Sequence, residues 1–148
     1  MLAVQEIILF YRQKLALIEQ VRSLTASAEH IIQNKSSLDQ LASLLAGRQR
    51  LLSHIGSLEN RIFPIRRAVA AQWSTLGPQD RWTIASLRKR LNEDVHALIR
   101  KDAHLYVLVR TEFDRACREL QKLSPSRALH KRYCKSPLQD PRYFRLSA

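Results

Sequence analysis

The chain has 148 residues, 45% of them hydrophobic, with only three glycines and five prolines. That suffices for one domain with a modest core, suits an all-helical globular chain and argues against disorder. Twenty-five Lys and Arg against thirteen Asp and Glu leave a net charge of +12, which admits nucleic acid, an anionic membrane or an acidic protein surface as partner without choosing among them.

From Leu2 to Gln33 the apolar residues Val4, Ile8, Tyr11, Leu15, Ile18, Val21, Leu24, Ala28 and Ile31 recur every three or four positions. This spacing predicts an amphipathic helix over 2–33. Basic and acidic groups balance across it, as suits a solvated outer face. The apolar run Ile7 to Tyr11 is too short and too closely flanked by charge for a signal peptide or membrane span, so a cytosolic protein is expected. Asn34 is the expected helix end, since Asn tolerates the left-handed conformation. Ser37 then stands as a cap for the next helix, with Gln40 reaching back to it.

The second segment carries Leu38, Leu41, Leu44, Leu45, Leu51, Leu52, Ile55, Leu58 and Ile62, and continues through Ile65, Val69, Trp73 and Leu76. A helix over 38–76 is expected, kinked at Pro64, where a backbone donor is missing and the ring clashes with the preceding turn. Gly47 and Gly56 each cost about 1 kcal/mol against Ala inside a helix; close approach of a neighbouring helix is the simplest reason for them. Gly77-Pro78 closes the segment, and Trp73 and Trp82, either side of that turn, are expected to seal this end of the core.

The third segment, 79–123, is the longest. Ile84, Leu87, Leu91, Val95, Leu98, Leu105, Val109, Phe113, Ala116, Leu120 and Leu123 form its stripe, with no Gly or Pro inside and one polar interruption at Arg100-Lys101-Asp102. Three long helices joined by tight turns predict an all-α, elongated up-down-up antiparallel three-helix bundle with coiled-coil-like packing. The third helix should overhang the turn between the first two. Residues 124–148 form a basic, aromatic, proline-marked tail, with a short helix possible from Ser124 through His130. Nine of the twelve excess charges lie from Arg81 onward: residues 81–123 hold ten basic and six acidic groups, and residues 124–148 six and one.

No catalytic constellation is visible. The five histidines are scattered, the glycines are isolated, and Glu93-Asp94 point about 100° apart on a helix. His130 and Cys134 are too few for a metal site, and Cys117 and Cys134 give no disulfide framework. A non-enzyme without cofactor or metal is therefore expected. Arg88-Lys89-Arg90 and Arg100-Lys101 spread around a helix and read first as solvated surface.

The stretch Leu41–Arg61 and the end Glu119–Leu123, followed within ten residues by Tyr133, resemble FlgN-type flagellar export chaperones. The resemblance implies a cytosolic holdase that binds the amphipathic terminal helix of a secreted hook–filament junction-type protein and docks it at a type III export gate. It also implies docking at the gate through Tyr133. Leu105, Val109, Phe113, Leu120 and Leu123 are the candidates for the partner groove left open by the overhang, with plain packing on the first two helices, above all for Leu105 and Val109, as the alternative. Helix-in-groove binding is the physical route. A basic nucleic-acid-associated protein and a structural coiled-coil adaptor are the alternatives.

Overall fold

The computed structural model describes residues 2–123. Three long helices account for nearly all of them: α1 (Leu2–Gln33), α2 (Leu38–Ala71) and α3 (Pro78–Leu123), with a 3₁₀ turn at Trp73–Thr75 between the last two. No strand occurs among the described residues. The tail at 124–148, including its expected short helix and Tyr133, lies outside the described residues.

α1 is the element the others cover. Its backbone runs close against both α2 and α3, and it is buried along Val4, Ile7, Tyr11, Lys14, Ile18, Val21, Thr25, Ala28 and Ile32. Those steps alternate strictly between three and four, a heptad seam. Arg48, Ile55, Ile62 and Val69 of α2 repeat every seven residues, and Leu91, Val95, Leu98, Asp102 and Leu105 of α3 continue the pattern. Fixed pairs set the alignment. Lys14 is ion-paired with Glu59, Thr25 meets Arg48, Arg22 lies 3.8 Å from Asp94, and Glu29 meets His104 at 3.2 Å.

The main core joins Ile7, Ile18 and Val21 of α1 to Ile55, Leu58 and Ile62 of α2 and to Ile84, Leu91 and Leu98 of α3. A smaller cluster of Ala28, Ile32 and Leu105 lies toward the α1–α2 turn. Between them sits a polar layer. Arg48 Nε donates to Thr25 Oγ1 at 3.1 Å, Thr25 Oγ1 donates to the Val21 carbonyl at 2.8 Å, and the Arg48 guanidinium is paired with Asp102. All three side chains are buried.

Several local expectations are corrected. The left-handed residue after α1 is Lys35, with φ 50°, not Asn34. Ser36 N donates to Ile31 O at 3.1 Å and Lys35 N to Ile32 O at 3.2 Å, the bond pair of a Schellman ending, which places the left-handed residue one beyond the Asn. Ser37 precedes α2 without a side-chain capping bond. α2 runs unbroken past Pro64 but stops at Ala71 rather than Leu76, because Gln72 leaves helical geometry and the chain tightens into the 3₁₀ turn. Leu76 N and Thr75 Oγ1 bond back to Trp73 O and Gln72 O there. Trp73 and Trp82 do not seal the core: they are 39% and 66% exposed. Cys117 is buried.

Candidate functional site

Among the described residues, open grooves lie at both ends of the bundle. The first lies where the α1–α2 turn faces α3 and holds about 440 Å³. Ile31 and Ile32 from the end of α1, Leu38 and Leu41 from the start of α2, and Val109 and Phe113 from α3 supply its apolar wall. The Schellman ending turns the chain here, so that residues from the end of α1 and the start of α2 line one groove. Leu38 is 80% exposed, so its apolar surface is left in water. The rim is polar and balanced in sign: Lys35, Glu112, Arg115 and Glu119 line it, with Arg115 bonded to Glu112 at 2.7 Å.

The residues expected to form a partner groove do not share one environment. Leu105 is fully enclosed against Ala28 and Ile32 and has no surface to offer a partner. Its place in the expected groove is therefore corrected to the core, because the heptad seam of α3 carries it inward. Val109 and Phe113 are half-buried and face the groove. Leu120 is 43% and Leu123 83% exposed, on the stretch of α3 that follows the groove. Tyr133 lies outside the described residues.

The second groove, about 330 Å³, opens between the end of α2 and the start of α3. Buried Ile7, Tyr11, Val69 and Ile84 form its floor, and Phe63, Trp73, Arg66, Arg67 and Arg88 its rim. Arg66 is tied to Glu59 at 3.0 Å, whereas Arg67 and Arg88 make no ion pair among the described residues.

Asp102 is buried against Arg48, and burial lifts its carboxyl above the ordinary value of 3.8 while Arg48 pulls it back. Sequence reasoning saw Asp102 only as an interruption of a stripe and passed over Arg48 and Thr25. The signal was present: all three fall on heptad core positions, where a polar residue needs a partner. Among the described residues no group of three or more His, Cys, Asp or Glu is placed to hold a metal ion, and no helix is long and apolar enough to cross a membrane. No family model matches the chain, and no match was found among curated proteins or solved structures.

Proposed function

We propose that the protein is a non-enzymatic export chaperone of the FlgN type. In this reading an up-down-up, coiled-coil-like bundle, with α2 bent at Pro64, keeps an apolar groove open for the amphipathic terminal helix of a secreted hook–filament junction-type protein. The observation that carries the reading is the groove of about 440 Å³ walled by Ile31, Ile32, Leu38, Leu41, Val109 and Phe113. Past its last lining residue, Glu119, α3 runs on for residues 120–123, with Leu120 and Leu123 exposed. A partner helix laid along that track covers the half-buried and exposed leucines together, as helix-in-groove recognition requires.

The pairings Lys14 with Glu59 and Thr25 with Arg48 descend along α2 as α1 ascends, which supports antiparallel α1 and α2. Arg22 with Asp94 and Glu29 with His104 ascend together, which supports α3 running parallel to α1. A cytoplasmic setting and docking at an export gate through Tyr133 complete the proposal.

The test is capture of a junction-type client and of an export-gate component by the purified chain. Leu120→Glu together with Phe113→Ala should abolish capture of the client while helical content holds, and deletion of residues 124–148 should abolish capture of the gate component. Undiminished binding by both variants would remove this reading.

A further inference from the structure

We infer that the groove at the other end of the bundle is a binding site for single-stranded nucleic acid, with bases stacking on Phe63 and Trp73 and phosphates held by Arg67 and Arg88. This goes beyond the chaperone reading and uses none of the residues assigned to the client.

Charge is the first argument. Residues 61–90 carry seven basic groups and one acidic one, and no acidic side chain lines the groove. The client groove, by contrast, has a rim balanced in sign. Arg67 and Arg88 are exposed on α2 and α3, so two elements bring unneutralised guanidinium groups to one opening. An arginine fork suits phosphate oxygens, which accept two parallel hydrogen bonds.

The second argument is the aromatic rim. Phe63 is 59% exposed and Trp73 39%. Neither ring is needed to close the core, whose floor at this point is already made by Tyr11, Val69 and Ile84. Exposed rings beside free cations form the stacking platform that single strands use, because every base offers a π-face whatever its sequence. The cavity, about 330 Å³, is at the small end for ligand sites, and admits a ring system rather than a helix. A duplex keeps its bases stacked on one another, so a single strand is the form that fits. An acidic peptide would answer the charge but leave the rings without a role.

The experiment uses the full chain and a fluorescein-labelled twenty-nucleotide oligothymidylate, followed by anisotropy and by tryptophan emission; both tryptophans, Trp73 and Trp82, stand at this end of the molecule. Binding should quench the emission, and affinity should fall steeply as salt rises. The double variant Arg67→Glu, Arg88→Glu should weaken binding by about tenfold or more and flatten the salt dependence. Trp73→Leu should lose most of the quenching. Leu120→Glu should bind the oligonucleotide unchanged, so that failure here and failure of the client groove are told apart. Absence of binding at low salt would overturn the inference, as would equal affinity in the arginine variant. Equal affinity and quenching with a polyglutamate peptide would overturn it in favour of an acidic polypeptide.

Discussion

Arg48 of α2 and Asp102 of α3 form an ion pair inside the bundle, 2% and 4% exposed respectively. Arg48 also donates to Thr25 of α1, so one guanidinium ties all three helices at one level. Two buried charges gain little over well-packed apolar residues, yet removing one leaves the other uncompensated. Asp102→Ala should cost about 3–5 kcal/mol, whereas Arg48→Met combined with Asp102→Leu should come close to neutral. Urea unfolding of the three proteins checks this, and equal losses in the single and double variants would contradict it.

The same pair gives a pH dependence whose sign follows from burial. Desolvation lifts the Asp102 carboxyl above 3.8, with Arg48 acting in the opposite direction. The folded chain therefore keeps this proton to higher pH than the unfolded chain does. Stability must fall as pH rises from about 4 through the lifted value, and then level off. Subtracting the stability curve of Asp102→Asn removes the groups common to both proteins. The difference should decline with rising pH over that window, as read from urea midpoints at several pH values; a flat difference would mean that burial does not lift the group.

The helices themselves were legible because their apolar residues recur at helical spacing over thirty residues or more, and no competing pattern exists in 2–123. α1 was read to its observed limits, Leu2–Gln33. What escaped was the polar layer. Counting only apolar residues made Lys14, Thr25, Arg48 and Asp102 look like gaps, although each sits at a heptad core position. Rotational phase was the second loss. A stripe of threes and fours does not say which of Ile7 and Ile8, or Ile31 and Ile32, faces inward, and the packing of α1 between two neighbours decides that. The tryptophans were placed by size and position alone, and no pattern in the sequence showed that Ile84 and Val69 already fill the space beneath them.

Lys35 occupies a left-handed conformation with φ 50° that costs an L side chain about 1–2 kcal/mol. Glycine adopts it freely and is the usual residue at this place in a Schellman ending. Lys35→Gly should raise stability by about 0.5–1 kcal/mol, seen as a higher urea midpoint with unchanged slope. A loss would mean that the lysine side chain contributes more than the backbone strain removes.

Leu105 and Leu123 lie on the same helix but answer to different forces. Leu105 is completely buried and Leu123 is 83% exposed. Leu105→Ala should therefore cost about 2–5 kcal/mol through lost burial and the cavity left behind. Leu123→Ala should change stability by no more than about 0.5 kcal/mol and instead weaken client capture. Thermal unfolding and a binding titration on both variants separate the roles. Equal destabilisation would place Leu123 in a packed environment.

Gly56 has no atom within 4 Å of the position a Cβ would take, so close helix approach, the simplest reason for a glycine here, does not apply to it. At Gly47 the nearest neighbour to such a carbon is Leu24 Cδ1 at 3.7 Å, an ordinary contact. Neither glycine has positive φ. Alanine reduces the freedom of the unfolded chain and fits the helix at both places, so Gly56→Ala should stabilise by about 1 kcal/mol and Gly47→Ala by a similar or slightly larger amount. The order matters, because Gly47 adds a methyl contact with Leu24 beside the buried Arg48, whereas Gly56 adds only helix propensity. Urea unfolding resolves the two. Destabilisation by Gly47→Ala would show that the added methyl does not settle into the contact with Leu24 that the geometry offers.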